Sequence, residues 1–369
     1  MATGDGAYHG GGFWEAIGPD FAALDRRDTV ISADVLDAWF PPSPRVVEAV
    51  HPHLEWLMRT SPPTKGEGLV DAIANARGLP SECIATGAGS SSLIFNALRL
   101  WMRPGMTALI PEPTYGEYRH VLERMLGVTV CPFPLDSEND FALDVDAFIA
   151  EAQGADLVVL VNPNSPNGRA LPAQDVGRVA VGLPASTTLW IDETYIDYAG
   201  ELSFENEAAW RPNVVVVKSM SKVYALSGLR VGYLVAGQDR IEALRRWTPP
   251  WAVDLIAQVA ATVALHDRNY YEERYAETRA LRASLRAEVE NRLGWRAFSS
   301  QANFLLFELP PSGPDALELD RRAREQGLYI RAFPPESGTL GPRFVRLAVK
   351  PADVQARMVD ILSGIVGSR

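Results

Sequence analysis

"NVVVVKSMSKVYALSGLRVGYLVA" occupies residues 213–236. Its two ends, "NVVVVKS" (213–219) and "RVGYLVA" (230–236), are short apolar runs rich in β-branched residues, which read as strands. A valine run without polar alternation marks a strand covered on both faces. The polar crossing from Ser219 to Arg230 joins the runs and carries Lys222, three serines and Arg230. In an open α/β sheet the ligand sits beyond the carboxyl ends of the strands. The crossing therefore has to be read together with whatever else stands at such ends.

The same pattern recurs upstream. "ECIAT" (82–86), "TALIPE" (107–112), "VTVCPF" (128–133), "DLVVLV" (156–161) and "TTLWID" (187–192) are further strand-like runs. Between them, "SSLIFNALRLWM" and "YGEYRHVLERML" have the spacing of amphipathic helices. Buried strands alternating with helices predict an α/β fold, with a mostly parallel sheet flanked by helices over about residues 66–240. Beyond Trp247 a long, interrupted helical region precedes strands at 303–309, 328–333 and 343–349, the pattern of a smaller α+β domain. The Gly- and Pro-rich start reads as an arm packing with that smaller domain. The expected division is 1–45 for the arm, 46–247 for the large domain and 248–369 for the small one.

Bulk properties narrow the function. The 369 residues carry a net charge of −11 and no basic block, so a nucleic-acid backbone would be repelled. No apolar stretch reaches the roughly 18 residues of a membrane span. Two cysteines, Cys83 and Cys131, without a C-x-x-C pair point away from a disulfide framework or zinc site and towards a reducing compartment. The opening "MATGDGAYHGGGFW" has neither the basic nor the apolar region of a secretory signal, so a cytoplasmic enzyme is expected. His51 and His53, in "HPH", lack an obvious carboxylate partner and read as a surface turn; no metal is expected.

At the strand ends stand "GAGSSS" (87–92), "NPNSPNG" (162–168), "DETY" (192–195) and "KSMSK" (218–222). Each has an ordinary structural reading: a Gly/Ser turn, a rigid turn, a helix cap, a solvated lysine. Together they bring glycines and hydroxyls suited to a phosphate, an acid, a phenol and a lysine to one edge. "GAGSSS" is not G-x-G-x-x-G, which disfavours a dinucleotide. Pyridoxal 5′-phosphate needs this set: a lysine for a Schiff base, a carboxylate for the ring nitrogen and a phosphate site.

These residues also resemble a known family. "SMSKVYALSGLRVGY" is similar to the S-x-S-K-x-x-x-x-x-G-x-R-x-G-[YF] signature of fold-type I class I/II aminotransferases. "DETYIDY", "EPTYGEY" and "NPNSPNG" resemble that family's D-E-x-Y segment, its ring-stacking segment and its N-P-N-N-P-T-G turn. The likeness spans nearly the whole chain and lies nearest the histidinol-phosphate aminotransferase and threonine-phosphate decarboxylase branch, whose decarboxylases have a segment similar to "HGG" (9–11). It implies that Lys222 forms the Schiff base, Asp192 pairs with the pyridine nitrogen, Tyr195 bonds the phenolic oxygen and Tyr115 stacks on the ring. Gly89, Ser90, Ser91, Ser219, Ser221 and Arg230 would hold the phosphate. Arg346 would take the substrate carboxylate, with Arg331 for a distal anion and Asn162 among the substrate contacts. A homodimer acting on an amino acid is implied as well. Ser165 and Ser61 stand where the family has an asparagine near the phenolic oxygen and a tyrosine lent by the partner subunit. Transamination is the leading expectation. Decarboxylation, β-elimination, cyclisation, or a non-catalytic cofactor-binding module stay open at this point.

Overall fold

The computed structural model describes residues 10–333 and 340–367. Thirteen strands lie among these residues. They are β1 (Ile31–Ser32), β2 (Ile84–Gly87), β3 (Thr107–Glu112), β4 (Thr129–Pro134), β5 (Leu157–Val161), β6 (Thr188–Asp192), β7 (Val214–Ser219), β8 (Gly232–Ala236), β9 (Arg296–Ala297), β10 (Phe304–Glu308), β11 (Leu328–Tyr329), β12 (Arg331–Ala332) and β13 (Phe344–Ala348). Seven of them form the large sheet, in the order β2-β8-β7-β6-β5-β3-β4.

The valine runs explain its centre. In β7, Val214 and Val216 belong to the apolar cluster on one face, and Val215 and Val217 to the cluster on the other. Strand side chains alternate in direction, so a strand with helices on both faces needs apolar residues at every position. Within the sheet β8 alone runs antiparallel to its neighbours β7 and β2. Only a single helical turn, Met220–Val223, and a short 3-10 turn, Ser227–Leu229, separate β7 from β8. A parallel return would need a full crossover.

Helix α1 (Gly89–Trp101) leaves β2 directly. The predicted long helical region is two helices, α2 (Leu255–His266) and α3 (Arg268–Leu293), and the chain ends on α4 (Ala352–Gly367). The second sheet is antiparallel, β12-β13-β10-β9. The run at 328–333 divides at Ile330: β11 pairs with β1 from the arm, while β12 joins β13. The arm is fastened further by Asn303 Nδ2 donating to the Leu36 carbonyl at 3.0 Å and Trp39 Nε1 donating to Thr278 Oγ1 at 2.8 Å. His9 lies outside the described residues.

Candidate active site

The carboxyl end of the large sheet collects the predicted residues. Gly232 pairs with Gly87 on one side and Ser219 on the other, which sets the start of α1 beside the polar crossing. A Cβ at Gly232 would lie 2.8 Å from both Ser90 N and the Lys218 carbonyl, so glycine is required for the helix to approach this closely. Gly89 has φ +80°, and a Cβ there would lie 2.7 Å from Arg230 Nη2. The first N–H groups of α1 have no intrahelical partner and carry the positive end of the helix dipole. Arg230 Nη1 donates to the Ser227 carbonyl at 2.8 Å and to Ser221 Oγ at 3.3 Å; Ser219 Oγ accepts from Ser221 N at 3.3 Å. Backbone N–H groups, hydroxyls and a guanidinium form a donor set for a phosphate dianion.

Asp192 ends β6 and is 3% exposed. Its Oδ1 accepts from Thr194 N at 3.0 Å and Thr194 Oγ1 at 2.6 Å. Its Oδ2 accepts from Tyr118 Oη at 2.7 Å, and that hydroxyl in turn accepts from Trp190 Nε1 at 2.8 Å. Burial raises the carboxyl above its ordinary value, while the bonds from Thr194 and Tyr118 hold the rise back. With two oxygens and about four acceptor sites, the carboxylate keeps room for one further N–H.

Lys222 sits in the helical turn after β7, its carbonyl accepting from Tyr198 Oη at 2.7 Å. Its Nζ donates to Asp37 Oδ1 at 2.7 Å. Burial lowers its pKa; Asp37 opposes this, and Arg230 and Arg346 add to it. Tyr195, buried, has its hydroxyl raised chiefly by burial, with Arg346 opposing and Tyr115, Asp192 and Asp37 adding. Tyr115 shares a hydrogen bond with Ser91 and lies edge-on to Tyr118, ring centres 6.0 Å apart.

Arg346 reaches in from β13. Its Nη1 donates to Ser165 Oγ at 3.1 Å and its Nη2 to the Asp34 carbonyl at 3.1 Å, while its buried Nε has no hydrogen-bond partner. Phe304 lies under both Tyr195 and the Arg346 guanidinium, each 5.3 Å away. The β12–β13 register places Arg331 directly across from Arg346. Gly11 N donates to Asp34 Oδ2 at 2.7 Å, tying the glycine segment near the start to the residue whose carbonyl supports Arg346.

Asn162, expected among the substrate contacts, is bonded to its own chain. Both ends of the Asn162 side-chain amide are taken by Leu171: Nδ2 donates to its carbonyl at 2.9 Å and Oδ1 accepts from its N–H at 2.8 Å. Asn162 thus clasps the base of the 162–171 turn. Ser61 is exposed, and His51 and His53 lie exposed on a one-turn 3-10 helix. Among the described residues no cluster of three or more His, Cys, Asp and Glu side chains is arranged for a metal ion. Asp37, Tyr118 and Thr194 were not foreseen. Thr194 stands inside the quoted "DETY" and was within reach of a helix-cap argument; the other two meet their partners across 185 and 74 residues of chain.

Comparison with known proteins decides the family. The model of "Aminotransferase class I and II" matches residues 55–363. The chain belongs to that family. It is 33% identical over 309 residues to histidinol-phosphate aminotransferase 1 of Trichormus variabilis, covering 84% of this chain and 85% of the other. It is also 33% identical over 301 residues to the histidinol-phosphate aminotransferase of Maricaulis maris, covering 80% and 81%. A solved histidinol-phosphate aminotransferase from Sinorhizobium meliloti, in complex with pyridoxal-5′-phosphate, shares the fold with a TM-score of 0.83 at 23% identity, over 97% of each chain. L-threonine-O-3-phosphate decarboxylase from Porphyromonas gingivalis shares it with a TM-score of 0.80 at 21% identity, over 92% of this chain and 100% of the other. The protein is a pyridoxal-phosphate-dependent aminotransferase. Its residues fit that cofactor: a helix start kept clear by Gly89, a buried carboxylate with one acceptor site left, and a lysine amine whose pKa is depressed.

Proposed function

We propose that this aminotransferase takes the amino group of an α-amino acid, with Lys222 as its Schiff-base lysine and proton carrier. The observation that carries the reading is the setting of Lys222. Its amine is held at a strand end where burial, Arg230 and Arg346 together outweigh the opposing Asp37 and lower its pKa, which suits a group that must give up its proton to react. When bound, pyridoxal phosphate supplies an aldehyde carbon that accepts an amine and a ring that accepts electrons.

In this reading the start of α1 with Ser219, Ser221 and Arg230 holds the phosphate. Asp192, whose charged form the bonds from Thr194 and Tyr118 favour against burial, holds a proton on the ring nitrogen. Tyr195 faces the phenolic oxygen and Tyr115 flanks the ring. Arg346 binds the substrate carboxylate, its orphaned Nε available for one arm of a bidentate fork. Arg331, its cross-strand neighbour, serves a second anionic group. The phosphorylated amine in the relatives' names fits the same two arginines.

We also assign the working form to a homodimer in the cytoplasm. Trp56, Met58, Trp247 and Trp251 are exposed around the segment that carries Ser61, with Trp251 N donating to the Thr64 carbonyl at 2.9 Å. Among the described residues no helix is long and apolar enough to cross a membrane.

The test is a panel of α-amino acids and phosphorylated amines, histidinol phosphate included, with products identified by mass. Keto acids or aldehydes matched by an aminated acceptor support the proposal. Release of carbon dioxide with the amine as product, and no aminated acceptor, would overturn it in favour of a decarboxylase.

A further inference from the structure

Asp37 lies in the arm, far from every motif named above, yet its carboxylate touches the Lys222 amine at 2.7 Å. Both partners are anchored. The Leu36 carbonyl is held by Asn303 at 3.0 Å and the Trp39 indole by Thr278 at 2.8 Å, so the chain is fixed on either side of Asp37. The Lys222 backbone is held by Tyr198. An ion pair between two flexible surface side chains is worth little because ordering both opposes it; here the chain around both residues is held in place, which leaves only the two side chains to be ordered.

We propose that Asp37 is a positioning residue for the reaction, holding the Lys222 amine as an ammonium ion whenever that amine is free. This rests on Lys222 being the cofactor lysine. An ammonium nitrogen has no lone pair, so Lys222 becomes a nucleophile or base only after its proton leaves, and the Asp37 carboxylate stands in hydrogen-bond contact to take it. The surroundings are mixed in sign. Asp34 and Asp37 come from the arm, Arg230 from the crossing, Tyr195 and Tyr198 from the segment after β6, and Arg346 and Lys350 from the end of β13. Burial works against the Asp37 carboxylate, but Lys222, Ser227 and Lys350 hold it below the ordinary range. Three cations face the Lys222 amine, and Asp37 is the acid in contact with it. Without that acid, burial and the neighbouring cations act unopposed, and the amine loses its proton at lower pH.

The experiment uses the full chain stripped of cofactor and an amine-reactive probe, acetic anhydride, with acetylation of Lys222 counted by peptide mass from pH 6 to 10. Circular dichroism and restored absorbance on adding pyridoxal phosphate check the fold. Asp37→Asn is expected to move the Lys222 profile about one to two pH units downward, the usual effect of one adjacent opposite charge, so that labelling at neutral pH rises at least tenfold. Asp37→Glu is expected to keep the wild-type profile. A folded Asp37→Asn protein whose profile superimposes on wild type would overturn the proposal, as would a Glu variant shifted as far as the Asn variant. Failure of the wild type to link cofactor at Lys222 would instead defeat the functional reading, so the two failures are distinguishable.

Discussion

Lys218 and Lys222 are four residues apart in the chain and live in opposite surroundings. Lys218, in β7, shares the face of Val214 and Val216 and points into the interior, 2% exposed. There it meets Glu205 at 3.0 Å, Glu193 at 3.4 Å and Asp197 at 3.7 Å, and Arg77 joins Asp197 at 3.3 Å. Burial pulls its pKa down, but Asp197, Glu205, Tyr233 and Glu193 together push it well above the ordinary value. Lys222 has one acid, Asp37, whose side chain is 45% exposed, and its pKa is lowered. A buried lysine ringed by carboxylates is a permanent cation and a structural part. A buried lysine with one half-exposed partner can give its proton away. Burial alone therefore does not separate the lysine proposed to react from the structural one; the number of acids around each does.

The sharpest way to break this contrast is to exchange the two losses. Lys222→Ala is expected to abolish the borohydride-fixed link to pyridoxal phosphate while leaving the melting temperature close to wild type, because one partly exposed ion pair is worth about 1 kcal/mol or less. Lys218→Met is expected to destabilise the fold by about 3–5 kcal/mol, since it strands carboxylates in the interior. Burial opposes the charged forms of Asp197 and Glu205, but Lys218 and Arg77 outweigh it and hold both below their ordinary values. Their contribution is thus full above the unfolded carboxylate value of about 4, and is lost as pH falls through the folded values. Glu193, raised by burial and by Glu205 despite Lys218, acts with the opposite sign. Thermal melts from pH 3 to 8 should show a steeper acid fall in wild type than in Lys218→Met. An adduct on Lys218 would reverse the contrast.

A smaller effect is expected at Asp192. Asp192→Asn keeps the shape and removes the charge, and turnover should fall about a hundredfold, the usual scale for a preorganised electrostatic contact. Steady-state kinetics on the folded, cofactor-loaded variant measure it; an unchanged rate would mean that the acid serves only the hydrogen bonds it already makes.

These contrasts mark what could be read from the sequence. Strand β3 begins and ends where "TALIPE" does, and the valine run of β7 is legible because a doubly covered strand admits little else. The glycines of "GAGSSS" are legible as a helix start open to a ligand, whereas the close approach of Gly232 to the Ser90 and Lys218 backbone appears only in the fold. The split of 328–333 at Ile330 is not legible, because an apolar run carries no mark of which sheet it joins. The clasp of Asn162 on Leu171 is not legible either, because a conspicuous amide in a polar turn looks the same whether it faces a ligand or its own chain. Asp37 was invisible: it is an acid in an arm without periodicity, and its meaning comes from a lysine brought close only by folding.

Tyr118 has the same character as Asp37 and carries the smallest predicted effect. Its hydroxyl donates to Asp192 and accepts from Trp190, so it is the middle member of a buried chain of three groups. Tyr118→Phe removes the middle, leaving Asp192 Oδ2 with one donor fewer and the Trp190 N–H without an acceptor, at a cost of about 1–3 kcal/mol of stability for a stranded buried group. Turnover should fall less than in Asp192→Asn, roughly three- to tenfold, because Thr194 still supplies two bonds to the other oxygen. The direction in pH follows from the same contacts. Burial already raises the Asp192 carboxyl and Tyr118 holds that rise back, so losing Tyr118 raises it further. An acid that must be ionised then protonates sooner as pH falls, and the acid limb of the kcat profile should move to higher pH. Trp190→Phe separates the two consequences. It leaves the Tyr118–Asp192 bond in place, so it should lower the melting temperature without moving the acid limb. Equal shifts of the limb in both variants would mean that packing around Asp192, rather than the hydrogen bond to it, sets its charge.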